Sequence, residues 1–502
     1  MQINAFVRNL RLLAVSPLAL HGDRGYNHSQ ERQEHKGMSE RPITPMKPNL
    51  LFVFADQWRA QAFGYAGDPN VSTPNIDRFA VQSLNFTSAV SGCPVCSPYR
   101  ASLMTGVYPN RHRMMVNDQC LHRLYEGPFL AECLRDAGYR TAYIGKWHID
   151  GNGWNAFVPP KRRLGFEWWK GFETSHDYQA SFYYFGDDPR PHRWEGYDAD
   201  AQTDEACRYL REEVDDNPFA LFLSWGPPHE PFGTAPDQFE AIYDPQKIHL
   251  PPNVPEAIAD RARKELAGYY AHCSALDAAF GRLLDTLTAT GHDRDTIVVF
   301  TSDHGDMLGS QGKFGKQKPW AESNRVPFLV RHPHGAGPGT DNSPIDAPDL
   351  MPTLLSLCGA PIPSTVQGKD FSRTILEGAP SGIEDALLSL YLPFNQWHYA
   401  YGGREYRGLY NARYTYARSL YGPWLLYDNQ ADPGQLRNLI DDPACAAQVT
   451  QLDARLSARL REVGDDFAPG AEIIRRHNFA LNKWGDIAVM PSTLPEPHSG
   501  TQ

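Results

Sequence analysis

Cys96, Pro98 and Arg100 fall within five residues of one another in CPVCSPYRASLMTG (93–106), and the stretch then continues as a helical pattern. A structural cysteine needs neither a rigid neighbour nor a guanidinium. At the start of a helix a side chain sits among unpaired backbone N–H groups at the positive end of the dipole, which favours a thiolate nucleophile. Cys93 and Cys96 form a C-x-x-C, but no second such pair completes a zinc site.

Four more clusters carry chemistry, each at the end of an apolar run. Asp56 and Gln57 close NLLFVFADQ, Lys146 and His148 close YRTAYIGKWH, His229 follows FALFLSW, and Asp303 and His304 follow TIVVFTS. Taken singly, each has an ordinary use, as a turn carboxylate, a satisfied histidine or a solvated lysine. Four polar clusters at four strand ends, far apart in sequence, can converge on one pocket. Asp56, Gln57, Asp303 and His304 make an oxygen-rich set with one imidazole, which suits a hard divalent cation. Lys146, His148, His229 and Lys316 supply positive charge, with Lys318 a rival to Lys316 in GKFGKQKPW. A cation set beside a metal set suits a tetrahedral oxyanion, a phosphoryl or sulfuryl group.

CSPYRASLMTG resembles the signature of the type I sulfatases of the alkaline-phosphatase-like superfamily, C-x-P-x-R followed by A-S-x-x-T-G. GKWH, PPHEP, TSDHGD and GKQKPWAESNRVP follow in sulfatase-like order, so the resemblance runs from about Asn49 to Arg331. WLLYDNQADPGQLRNL resembles the family's closing region. The resemblance implies that a maturation enzyme oxidises Cys96 to Cα-formylglycine, which becomes nucleophile and metal ligand. It implies one divalent ion on Asp56, Gln57, Asp303 and His304, with Ca²⁺ the first choice and Mg²⁺ or Mn²⁺ the alternatives. Arg100 would hold the modified side chain's hydroxyls, and Lys146 and Lys316 would bind sulfate oxygens. His148 would help resolve the intermediate, and His229 would serve the leaving oxygen. Hydrated, the aldehyde offers one hydroxyl to attack sulfur and a second whose deprotonation expels sulfate.

Three positions depart from the commoner pattern: Tyr99 for Ser, Gln57 for Asp and His304 for Asn. The last two also resemble phosphonate monoester hydrolases and choline-sulfatase-like members. The expected activity is hydrolysis of carbohydrate or aryl sulfate monoesters, a small-molecule or saccharide ester being the partner. A phosphonate monoester or phosphodiester hydrolase is the alternative. A non-catalytic carbohydrate-binding homologue is a third reading, but it needs a decayed site, and every catalytic residue type is present.

Apolar strand runs alternate with helical patterns such as PFLAECLRDAG (128–138), DADAQTDEACRYLREEV and roughly 259–291. That alternation predicts an α/β fold with a mostly parallel sheet sandwiched by helices, and the resemblance makes it alkaline-phosphatase/sulfatase-like. Beyond about Ala379 the Tyr-rich YRGLYNARYTYARSLYGPWLLYD predicts an antiparallel sheet in a smaller α+β domain. The expected organisation is a disordered segment over 1–46, a catalytic domain over 47–378, a C-terminal subdomain over 379–490 and a tail over 491–502. The aromatic stretch from Gly151 to Tyr197 reads either as a loop over the pocket, stacking on a sugar or aryl group, or as an insertion packing its rings on the core.

The 502-residue chain carries a formal charge of -11, which argues against nucleic acid as a partner. It has no apolar run long enough for a membrane span, and its eight cysteines are too sparse for a disulfide framework. VRNLRLLAVSPLAL has a basic start but no clear cleavage site, so a cytoplasmic location is expected, with periplasmic or secreted the alternative. An oligomer is compatible with this composition.

Overall fold

The computed structural model describes residues 47–481; the expected disordered segment over 1–46 and tail over 491–502 lie outside them. In chain order the strands are β1 (Asn49–Asp56), β2 (Leu84–Phe86), β3 (Arg140–Lys146), β4 (Trp168–Phe172), β5 (Phe182–Phe185), β6 (His192–Arg193), β7 (Phe219–Pro228), β8 (Thr296–Ser302), β9 (Phe328–Arg331), β10 (Gly339–Asp341), β11 (Ala386–Leu390), β12 (Tyr406–Tyr410), β13 (Tyr414–Ser419) and β14 (Gly422–Asp428).

β1 is buried along its whole length because it lies in the middle of a ten-stranded sheet of order β10-β2-β9-β8-β1-β7-β3-β4-β5-β6. The central strands β8, β1, β7, β3 and β4 pair in parallel, whereas β9, β5 and β6 join antiparallel. Period-two alternation divides β1 between two cores. Leu50, Phe52 and Phe54 pack on one face with Leu103, Met104 and Leu354, from the helices Cys96–Thr105 and Ala347–Leu357. Leu51, Val53 and Ala55 pack on the other with Leu276 and Phe280 of the helix Ala259–Ala289. The mostly parallel, two-faced sheet is as the alternation predicts.

The four-stranded antiparallel sheet β11-β12-β13-β14 is likewise buried on both faces. Leu388, Leu390, Tyr406 and Leu425 join the main core. Leu387, Leu409, Tyr416 and Leu426 meet Leu452, Leu456 and Leu460 of the helix Ala446–Val463. A leucine fully buried this way contributes roughly 2 kcal/mol. The C-terminal piece is thus packed into the same core as the catalytic piece.

Most rings between Gly151 and Tyr197 serve structure. Trp169, Tyr178, Trp194 and Tyr197 are buried, and β4, β5 and β6 extend the main sheet. Trp154 is the exception among the described Trp and Tyr residues of that stretch in that it lines the cavity described below. Among the described residues no helix is long and apolar enough to cross a membrane.

Candidate active site

The strand ends converge. Asp56 is the last residue of β1 and Lys146 the last of β3, His229 follows β7, and Asp303 and His304 follow β8. β3 and β7 run so close that a Cβ on Gly145 (φ 101°) would collide with the Ser224 carbonyl oxygen. Only glycine fits beside Lys146.

Cys96 opens a helix whose ten residues are all buried. Its Sγ lies 3.1 Å from His304 Nε2, 3.3 Å from Lys316 Nζ and 3.5 Å from Asp56 Oδ1. Asp56, Cys96, Asp303 and His304 present donor atoms within 4.8 Å of one another. The Gly305 carbonyl can only accept, so His304 donates to it from Nδ1 at 3.0 Å. Nε2 then turns a lone pair toward Asp56 Oδ1 at 3.5 Å and Asp303 Oδ1 at 3.6 Å. Acceptors facing one another at that range repel unless a cation sits among them, so the donor set fits a divalent metal ion.

The electrostatics agree. Burial opposes the Asp56 carboxylate, yet Lys146 above all, donating at 2.6 Å, holds it well below the usual range. Burial first, and then Asp56 itself, pushes Asp303 up to about 7. Burial and Asp56 push the Cys96 thiol up to about 12. A dication among the three would lower them all.

Arg100 is the brace. Its Nε donates to Asp303 at 3.1 Å, its Nη2 to Asp56 at 3.3 Å, and its Nη1 to the Lys146 carbonyl and Ser224 Oγ, both at 2.8 Å. The fork therefore fixes both metal-facing carboxylates and the end of β3 at once. Gln57, at φ 73°, accepts at Oε1 from Lys316 at 3.0 Å and donates from Nε2 to Glu230 and Asp306. Lys316 also donates to His229 Nε2 at 2.7 Å, and His229 Nδ1 is 2.8 Å from the Glu230 carbonyl. Burial and Lys316 hold His229 well below the ordinary imidazole range. Between the two candidate lysines the structure brings Lys316 to the sulfur; Lys318 turns to the Lys316 carbonyl and over the Trp397 ring. His148 lies 3.5 Å from Asp118, and burial and Lys146 bring it down to about 4.

All ten residues singled out in the sequence meet here. The sequence reading missed Asp118, His176, Glu230 and Asp306. Glu230 and Asp306 stand inside PPHEP and SDHGD, but nothing in the spacing separated them from their neighbours. Asp118 and His176 lie on loops without period.

A large α/β sheet with a metal-fitting donor set and clustered cations at its carboxyl edge defines a hydrolase for esters of a tetrahedral oxyanion. The sulfatase family model matches residues 48–360, and a C-terminal model described as N-sulphoglucosamine sulphohydrolase matches 309–462. The chain belongs to the sulfatase family, and it is a sulfuric ester hydrolase. An ulvan-active sulfatase of Formosa agariphila is 42% identical over 88% of this chain and 87% of its own. An endo-4-O-sulfatase of Bacteroides thetaiotaomicron is 33% identical over 83% of this chain and 92% of its own. A solved structure described in terms of glycosaminoglycan metabolism by the same Bacteroides species superimposes with a TM-score of 0.77 at 30% identity, covering 86% of this chain and 99% of that one. Metal and formylglycine are typical of the family.

Proposed function

We propose that this enzyme desulfates carbohydrate sulfate monoesters, using Cys96 matured to Cα-formylglycine and one Ca²⁺ held by Asp56, Gln57, Asp303 and His304. The observation that carries the reading is the convergence on Cys96 Sγ of His304, Lys316 and Asp56, all within 3.5 Å. The sulfur marks where the aldehyde's oxygens would stand. The names of the Formosa and Bacteroides relatives, ulvan-active and endo-4-O-sulfatase, support a saccharide substrate.

The hydrated aldehyde supplies a hydroxyl that attacks sulfur and a second that, once deprotonated, releases sulfate. The cation supplies Lewis acidity toward a sulfuryl oxygen. The chain's own residues do the rest. Lys316 Nζ neutralises a terminal oxygen. Lys146 keeps Asp56 ionised, and Arg100 aims both Asp56 and Asp303. His229 serves the leaving oxygen. Free of substrate its Nε2 accepts from Lys316, and a bound anion there favours the imidazolium that can give up a proton from Nε2. His148, neutral and beside Asp118, is placed to take the proton whose loss ejects sulfate.

Peptide mass spectrometry of enzyme co-expressed with a formylglycine-generating partner tests this. Cys96 should lose sulfur and gain oxygen while Cys93 stays intact, and Cys96→Ala should fold without turnover. A Cys93–Cys96 disulfide in active enzyme overturns the assignment. Paired kinetics on an aryl sulfate and an aryl phosphonate separate the reading from its phosphonate rival, since each tenfold in kcat/KM is about 1.4 kcal/mol of transition-state binding.

A further inference from the structure

The cavity lined at its catalytic end by His148, His229 and Lys316 measures about 740 Å³, in the upper part of the roughly 300–1,000 Å³ range of small-molecule sites. A run of rings leads outward from the leaving-group histidine. His176 lies against His229 with centroids 4.2 Å apart, and Trp154 meets His176 at 4.7 Å. Trp154 is 60% exposed. The connection between β11 and β12 adds Phe394, His398 and Tyr399 to the lining, and the β13–β14 turn adds Tyr421, which is 93% exposed. Large rings left this open at the mouth of a pocket mark a surface that something covers.

The charge of the lining says what covers it. Lys316 is the one Lys or Arg among the described lining residues, and it sits at the sulfur end, 3.3 Å from Cys96 Sγ. Asp118, Glu230 and Glu405 face the same cavity. Burial works against the Asp118 carboxylate, but His148 beside it holds it below the ordinary range, and Glu230 accepts from Gln57 Nε2. His148, His176 and His229 are all depressed, chiefly by burial, and are neutral at pH 7. Beyond the sulfate, the cavity therefore offers aromatic faces and hydrogen-bond acceptors, and no fixed cation.

We propose that the cavity takes an uncharged oligosaccharide chain around the single sulfated sugar, and discriminates against a second sulfate or a uronic acid beside it. Apolar sugar faces cover Trp154 and Tyr421, and hydroxyls donate to Asp118 and Glu230. A neighbouring anion meets the carboxylates of Asp118, Glu230 and Glu405, with Lys316, held at the sulfur end, the one Lys or Arg of the described lining to offset them. The proposal rests on the saccharide sulfatase reading.

The test uses mature enzyme and four probes: 4-nitrophenyl sulfate, a monosaccharide sulfate, a neutral tetrasaccharide carrying one sulfate, and that tetrasaccharide with an adjacent uronic acid. The neutral tetrasaccharide should exceed the monosaccharide in kcat/KM by about tenfold or more, and the uronic acid should cost about as much. Tyr421→Ala should erase the tetrasaccharide's advantage and leave 4-nitrophenyl sulfate turnover within about twofold. Equal or faster cleavage of the uronic-acid probe overturns the proposal, as does a tetrasaccharide advantage that survives both Tyr421→Ala and Trp154→Ala. Calorimetric binding of the same sugars to Cys96→Ala protein separates the two readings. Tyr421-dependent binding of the neutral chain without any sulfate release by mature enzyme sinks the sulfatase reading alone. Sulfate release without chain preference sinks the neutral-chain proposal alone.

Discussion

Asp303 shows how one side chain is asked to do three things. Its Oδ1 accepts from the Gln57 backbone N–H at 3.0 Å, its Oδ2 from Arg100 at 3.1 Å, and the carboxylate gives one oxygen to the metal-fitting set. Asp303→Asn keeps an oxygen for Gln57 but sets an NH₂ against the Arg100 fork and removes a charge from the cation's seat. Metal content by mass spectrometry should drop from near one ion per chain to a small fraction, and kcat should fall about 10³-fold, while the fold persists. Full turnover in chelator-stripped wild-type enzyme contradicts the metal's role. Asp303 was readable in the sequence because it follows a buried apolar strand and three other such strand ends also carry polar residues that can converge with it. Asp118 was not readable. Its use depends on a loop bringing it to His148, and no period in the chain encodes that meeting.

At the scale of elements, the helix Cys96–Thr105 must hold a reactive group still while lacking any solvent-facing side. Gly106, at φ 66°, ends it, and a Cβ there would press on Val366. His112 steadies its far end. Met114 N–H donates to His112 Nδ1 at 3.1 Å, so Nε2 carries the proton and donates to Ser102 Oγ at 3.0 Å. Burial brings His112 down to about 3. The unfolded chain, with an ordinary histidine near pH 6.5, takes up a proton that the folded protein refuses. Stability is therefore full above about pH 6.5 and is lost as pH falls toward 3. His112→Asn keeps an acceptor for Met114 and cannot titrate. Denaturant melts of both proteins should show the wild type losing about 2 kcal/mol more than the variant between pH 7 and pH 5, other groups cancelling in the difference. Parallel slopes exclude a buried neutral His112. The elements themselves were legible where a hydrophobic period ran long enough, as in β1, β8 and the helix Ala259–Ala289. The short strands β4 to β6 were not, because dense aromatics with interspersed charges fit a loop and a sheet edge equally well until the sheet supplies the partner strands.

At the scale of the molecule, the catalytic edge and the C-terminal sheet meet in one residue that no motif or period singles out. Gln317 follows Lys316, is buried at φ 74°, and ties three segments together. Its backbone N–H donates to the Pro94 carbonyl at 3.2 Å, just ahead of Cys96. Its side chain donates to the Phe394 carbonyl at 3.1 Å and accepts from the Phe394 N–H at 3.3 Å, beyond the end of β11. The loop carrying Lys316 is thus set on one side by the nucleophile's own segment and on the other by the C-terminal piece. Gln317→Ala strands the Phe394 N–H, at roughly 1–3 kcal/mol, leaves the Phe394 carbonyl with the Trp397 N–H at 3.0 Å as its remaining donor, and frees the backbone that aims Lys316 Nζ. Misplacement of such a group by about 1 Å costs on the order of 10²-fold. At a temperature where calorimetry shows the variant folded, kcat on an aryl sulfate should fall by about that factor. Gln317→Glu, which can still accept from Phe394 N–H, should lie between the variant and the wild type. Unchanged kcat in folded Gln317→Ala would mean that Lys316 is aimed by its bonds to Gln57 and His229 alone, and that the C-terminal sheet contributes stability and pocket wall but not catalytic geometry.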